Sequence, residues 1–195
     1  MKLKYYIQTG VVALAAATVG VSCTDTWDDH YSVNGTVPGA TLWENMQLDE
    51  SIRPFVRVLD SCGYKDILNA NQVFTVWAPE ITDAEAQSWI DTYKREKSQG
   101  IIDDDNATLN QFIKNHISMY NQQVSSLTKD ETVKMMNGKR LSLTSSMLNG
   151  EVNMVGSGVP SSNGMLYKVD GAVTFFPNIW ERVRMESEGD QGVDS

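Results

Sequence analysis

The chain has 195 residues and carries 16 Lys and Arg against 25 Asp and Glu, a net charge of −9 with histidine neutral. That balance argues against nucleic-acid binding, which needs clustered Lys and Arg on the phosphates, and against adsorption to an anionic membrane through a basic patch. With only two cysteines in the chain, no disulfide framework is expected.

The N-terminal segment sets the context for everything after it. Lys2 and Lys4 precede a small-apolar run from Gly10 to Val21, followed by Ser22 and Cys23. The chain then turns polar and acidic through Thr24, Asp25, Thr26, Trp27, Asp28 and Asp29. A charged start, an apolar run of about a dozen residues and a small residue before the cut form the layout of an export signal. The run is too short to cross a bilayer, which takes roughly 20 apolar residues. With a cysteine at the cut, the segment resembles a bacterial lipoprotein signal. That resemblance implies removal of residues 1–22, acylation of Cys23 and attachment to a membrane through several lipid chains; a single chain would bind only marginally. An ordinary secretory signal that happens to carry a cysteine is the alternative. Gly20 stands where such signals usually prefer Leu, a position at which Bacteroidetes lipoproteins are looser.

Asp25, Asp28 and Asp29 resemble the acidic export tag that sends Bacteroidetes lipoproteins to the outer leaflet. The expected location is therefore the outer membrane, lipid-anchored, with surface display favoured over the periplasmic face. Removing 22 residues and their two lysines leaves 173 residues with 14 basic and 25 acidic side chains, a net of −11. That length is enough for one domain with a real core.

Residues 23–39 read as an acidic linker, with Ser32, Asn34, Gly35, Pro38 and Gly39 and no apolar period. From Ser51, taken as an N-cap, Ile52, Phe55, Val56 and Leu59 follow the spacing of one buried helical face. Pro54 falls in the first turn, where no N–H partner is lost, and Gly63 is a natural stop. The run Val73 to Trp77, β-branched and aromatic, closed by Ala78-Pro79, reads as a buried strand. Thr82 and Glu85 form a capping box before a helix carrying Ala86, Trp89, Ile90 and Tyr93. A third helix places Leu109, Phe112, Ile113 and His116 on one face. After about residue 123 the period becomes two. Val133, Leu141, Leu143, Val152, Met154, Leu166 and Val169 lie in short alternating segments, with Asn137-Gly138, Asn149-Gly150 and Asn163-Gly164 as turns. From about Glu186 the tail is polar. Helices first and strands second predict an α+β fold with a mainly β, antiparallel core.

Several segments, in order, resemble the fasciclin domain. VFTVWAPEITDAEA (Val73 to Ala86) is similar to its strand, Ala-Pro turn and following helix. LNQFIKNHIS (Leu109 to Ser118) is similar to the helix leading into a characteristic histidine. VKMMNGKRLSLT (Val133 to Thr144) resembles its paired strands around an Asn-Gly turn, and SSNGMLYKVDGAVTFFP (Ser161 to Pro177) its Asn-Gly turn, strand, Asp, strand and closing proline. The resemblance spans about residues 40 to 178. It implies an antiparallel β-sandwich or wedge with helices from the N-terminal half packed on it, and a structural motif of Phe74, Thr75, Ala78, Pro79, His116, Asn163, Gly164 and Asp170. Residues 179–195 are then a polar tail or the start of a second domain, since two such domains often follow one anchor in Bacteroidetes relatives. The chain departs from the family at Trp77, usually Phe, at Glu80-Ile81, usually Thr-Asn, and at Asn115, often aromatic. Integrin contacts in animal members fall on the aromatic-histidine pair and on an acidic motif whose counterpart here is Gly158-Val159-Pro160. That adhesion site therefore does not carry over.

No catalytic constellation emerges. His116 lies on an apolar helical face and reads as a core histidine bonded to a backbone group. Cys62 reads as a buried inert thiol, because a nucleophile would need a basic neighbour. Two histidines and one remaining cysteine offer no zinc spacing, and Asp103-Asp104-Asp105-Asn106 lacks the glycine of a calcium loop, so it reads as a loop capping the next helix with an acid. No metal and no cofactor are expected. The expected function is a surface-tethered, non-enzymatic adhesion or binding module with an unidentified protein or glycan partner. The alternative is an accessory lipoprotein of an outer-membrane glycan-uptake system. Trp27, Tyr31 and Trp180 could contact such a partner, or pack on their own domain.

Overall fold

A computed structural model of the chain describes residues 39–189. The putting-together begins with three short helices: α1 (Leu42–Gln47), α2 (Arg53–Ser61) and α3 (Tyr64–Asn69). Thr41 and Glu44 form a reciprocal capping box at the start of α1. Ahead of α2 the cap is Asp49 rather than Ser51: its carboxylate accepts from the Ser51 N–H at 3.0 Å and opens a 3₁₀ turn over Glu50–Ile52. Pro54 then sits in the first turn of α2, where its missing N–H leaves no bond unmade. Gly63 adopts φ +79°, a left-handed value that lets the chain reverse directly into α3.

Strand β1 (Phe74–Pro79) is buried along its whole length. It is the second strand from one edge of the sheet, with β2 (Ile117–Ser118) antiparallel on one side and β7 (Gly164–Val169) parallel on the other. Strands β3 (Glu131–Lys134), β4 (Arg140–Leu143), β5 (Met147–Leu148) and β6 (Val152–Ser161) continue the sheet in the order β2-β1-β7-β6-β5-β4-β3. All pairings but β1–β7 are antiparallel. The antiparallel core predicted from period-two segments therefore holds except at this pair, which joins residues about ninety positions apart in the chain.

The sheet is packed on both faces. On one, Phe74, Val76, Ala78 and Leu166 meet Leu42, Met46, Phe55 and Leu59 of the first helices, together with Ala86 and Ile90 of α4 (Asp83–Ser98). On the other, Trp77, Tyr167 and Val169 meet Val133, Leu141, Leu143 and Leu148 from the curled β3–β5 strands. The capping box of Thr82 and Glu85 starts α4 as its spacing requires.

The third helix has a different geometry from the one expected. Thr108–Ile113 is a π-helical turn and Lys114–His116 a 3₁₀ turn. The Phe112 carbonyl, which the His116 N–H would take in an α-helix, instead accepts from His116 Nδ1 at 2.8 Å. At the start of this helix the Oδ1 of buried Asn106 accepts from the Leu109 N–H at 3.2 Å, and the Glu96 carboxylate accepts from the Ala107 N–H at 2.7 Å. Beyond the sheet, α5 (Ile179–Gly189) extends past Glu186, where a polar tail was expected to begin.

The turn between β6 and β7 consists of Ser162 and Asn163, so Gly164 is the first residue of β7 rather than part of the turn. Glycine is needed there for proximity: a Cβ on residue 164 would lie 1.8 Å from the Phe74 carbonyl oxygen. Asn163 then ties three segments together. Its Oδ1 accepts from the Leu42 N–H at 2.7 Å, and its Nδ2 donates to the carbonyls of Leu68 at 2.9 Å and Ala70 at 2.7 Å. Removing this amide orphans one buried donor and two acceptors, each costing roughly 1–3 kcal/mol when left unpaired. Asn163→Ala is expected to lower stability by about 3–5 kcal/mol in urea denaturation; a loss below about 1 kcal/mol would contradict this account.

Candidate functional site

The residues singled out from the sequence separate into a buried structural set and an exposed set. Thr75 is buried, donating its hydroxyl to the Tyr120 carbonyl at 2.7 Å and accepting from the Gln122 N–H at 2.9 Å. Phe74, Ala78 and Pro79 lie on buried β1. Asp170 is exposed and accepts from both the backbone and the side-chain amide of Asn153, at 2.8 and 2.7 Å. These hydrogen bonds hold its carboxyl below the usual carboxylate range. Cys23, Asp25, Trp27, Asp28, Asp29 and Tyr31 lie outside the described residues.

His116 is fully buried and bonded at both ring nitrogens. Nδ1 donates to the Phe112 carbonyl, and Nε2 accepts from the Val173 N–H at 2.9 Å. The neighbouring Asn115 donates from Nδ2 to the Val173 carbonyl at 3.2 Å and accepts from Asn137 Nδ2 at 3.0 Å. Two adjacent side chains thus satisfy both backbone groups of Val173, as a neighbouring strand would. Asn115 and His116 both face inward and are buried. Trp77 is also buried and stacks on Tyr167, with ring centroids 6.3 Å apart at 19°. Cys62 is half-buried against the helical core, and burial pushes its thiol up to about 12, so it stays protonated. Among the described residues no group of three or more His, Cys, Asp or Glu side chains is placed to hold a metal.

Two surface features stand out, of which the first was not identified from the sequence and the second includes Trp180, which was. One is a groove of about 560 Å³ on the sheet face beside the 121–125 loop. Its floor is Met154, Pro160, Met165 and Tyr167; exposed Asn121, Gln123, Ser125, Ser145 and Ser157 form its rim. The groove exists because β6 bulges. Its register jumps from Val155 opposite Lys168 to Val159 opposite Leu166, leaving Gly156, Ser157 and Gly158 opposite Tyr167 alone. A Cβ at Gly158 would come 2.3 Å from the Tyr167 ring. The Tyr167 hydroxyl donates to the Gln122 carbonyl at 3.0 Å and accepts from the Val124 N–H at 2.9 Å, fixing the loop on the opposite side. Burial pushes its phenol up and keeps that donor in place. Gly-Ser-Gly inside an alternating apolar pattern was the available signal: glycine within a strand marks a bulge or a close approach.

The other feature is the outer face of α5. Phe176, Ile179 and Trp180 are 65%, 80% and 83% exposed. Trp180 therefore does not pack on its own domain. The start of the helix is held by an exposed Asn178–Glu181 capping pair and by an ion pair between the largely covered side chains of Lys139 and Glu181. No helix among the described residues is long and apolar enough to cross a membrane.

A mixed sheet with helices on one face, a buried histidine at the end of a π-helical turn and an inward asparagine at the β6–β7 turn define a small α+β domain whose most prominent buried polar side chains serve its backbone. A model of the fasciclin domain matches residues 50–174, and the chain belongs to that family. No curated protein matches the chain. Among solved structures, one similar chain is described as a FAS1 domain pair from the insect cell adhesion molecule Fasciclin I. It shares 14% identity with a TM-score of 0.46, and the match covers 69% of this chain and 50% of that one. The chain thus spans about half the length of that structure. No enzyme family is indicated.

The buried histidine makes stability depend on pH. Burial holds its ring at about 4, against 6.5 for the free side chain. As pH falls below 6.5 the unfolded chain takes up the proton first, so stability is full above 6.5 and is lost on the way down towards 4. Between pH 6.5 and 5, before carboxylates contribute, the loss is expected to be about 1.5 kcal/mol. Urea denaturation at a series of pH values measures it. His116→Asn should lower stability but remove this part of the slope; an unchanged slope would assign it elsewhere.

Proposed function

We propose that this chain is a non-enzymatic adhesion or binding lipoprotein, tethered to the outer membrane through Cys23 and carrying its fasciclin domain at the cell surface. The observation that carries this reading is the order of parts: an export-type segment ending at Cys23, an acidic stretch with Asp25, Asp28 and Asp29, then the domain matched over residues 50–174. Lipid attachment supplies the membrane link that a net charge of −11 on residues 23–195 would oppose. The domain contributes surface rather than chemistry. Its histidine is spent on backbone hydrogen bonds, and its one described cysteine is held as a thiol.

A second reading, an accessory lipoprotein of an outer-membrane glycan-uptake system, is favoured by one observation. Trp180, 83% exposed on a helix whose start is fixed to the domain, offers an aromatic face suited to a partner protein or a sugar ring. Gene neighbourhood separates the two readings, since a porin with its capture lipoprotein and glycosidases alongside would favour uptake.

Cys23→Ala is expected to abolish labelling by radioactive palmitate and to move the protein from the membrane to the soluble fraction. Retention without label would remove lipid anchoring from the reading. In protease shaving of intact cells the chain should be cut together with known surface proteins. Protection in intact cells and cleavage after lysis would instead place it on the periplasmic face.

A further inference from the structure

We infer that the groove beside the 121–125 loop binds an uncharged oligosaccharide, an inference that rests on the reading of this domain as a binding module. Its volume, about 560 Å³, lies within the 300–1,000 Å³ typical of ligand sites. No lining residue is charged, although 21% of the chain's residues are. An anionic ligand would meet no cation in the groove and a repulsive field from an acidic chain. A cationic ligand would give up hydration for no counter-charge.

The rim narrows the chemistry further. Asn121, Gln123, Ser125, Ser145 and Ser157 are exposed, and none of their side chains is hydrogen-bonded to another described residue. Each amide or hydroxyl can both donate and accept. A sugar hydroxyl also does both, whereas a carboxylate only accepts and an ammonium only donates. Between the rim residues, Met154, Pro160 and Met165 present an apolar floor to the C–H face of a pyranose ring. The site is also set in advance. Tyr167 is fixed by two hydrogen bonds and covered closely by Gly158, so the loop and the bulge need little ordering when a ligand enters.

An extended peptide fits less well. The floor carries side chains of β7, whose two edges are already paired with β1 and β6, so an occupant meets side chains and not an open backbone edge. The second cavity, about 300 Å³, is lined by Arg95, Glu96, Asp104, Asp105 and Glu181 and lacks this neutral character.

The test is calorimetric titration of the full chain, purified in detergent, with neutral hexasaccharides of glucose (α- and β-linked), mannose and xylose, and with hexagalacturonate as the charged comparison. At least one neutral hexasaccharide is expected to bind, and hexagalacturonate to bind at least tenfold more weakly. Ser157→Glu and the double change Asn121→Ala with Gln123→Ala alter exposed side chains only, and each should weaken binding tenfold or more with the urea midpoint unchanged. Lys65→Ala, on the exposed side of α3 and away from the groove, should leave the affinity as it was. Three results would each overturn the inference: no neutral sugar binding at millimolar concentration, equal or tighter binding of hexagalacturonate, or binding that survives the rim changes and is lost in Trp180→Ala. Should no sugar bind while the same preparation captures a defined envelope or matrix protein, the groove assignment fails and the binding-module reading stands.

Discussion

The fold depends on the parallel pairing of β1 with β7, and that pairing depends on how closely two backbones can approach at Phe74 and Gly164. A parallel pair cannot be closed by a hairpin; its strands must be brought together across everything between them. Here the intervening chain holds α4, the π-helical turn, β2 and the whole β3–β6 meander. Gly164 permits the contact by having no side chain, and Asn163 secures it by hydrogen bonding to the start of α1 and the end of α3. One amide thereby satisfies exposed ends of two helices, which otherwise would be orphaned in the interior. The two packed faces of the sheet follow from this, because β1 is covered on both sides only when β7 is beside it.

A second device repeats the logic with different chemistry. Asn115 and His116 bond to the N–H and C=O of Val173, so the segment after β7 is held by side chains where the sheet has ended at the two residues of β2. The same histidine takes the Phe112 carbonyl and relaxes the helix before it into a wider and then a tighter turn. Both ring nitrogens of His116 are therefore occupied with backbone partners. The groove formed by the β6 bulge and the outer side of α5 remain open at the surface.

Local signals in the sequence were read well where they depend on neighbours in the chain. The Thr82–Glu85 capping box, the left-handed Gly63, the β1 run and the inward His116 are of this kind, each a matter of a few consecutive residues. Features set by distant partners were not visible. The direction of the β1–β7 pair has no periodicity of its own, and the π-helical turn arises from a side chain competing with the backbone. Asp49 took the capping role expected of Ser51, because adjacent polar residues could each serve and tertiary packing chose between them. The groove escaped for a related reason. Gly156-Ser157-Gly158 resembles a flexible connection until the ring it covers, Tyr167, is placed opposite it.

The separation of β1 from β7 also orders events in time. During synthesis, the six residues of β1, five of them apolar, emerge about ninety residues before the strand that covers one of their edges. Until Val169 has been made, the β1–β7 pair cannot close. Long-range pairing of this sort is slow and leaves a sticky segment exposed in the interim. A nascent chain of this design stays open late, and a holding chaperone would find its binding site at Phe74–Pro79.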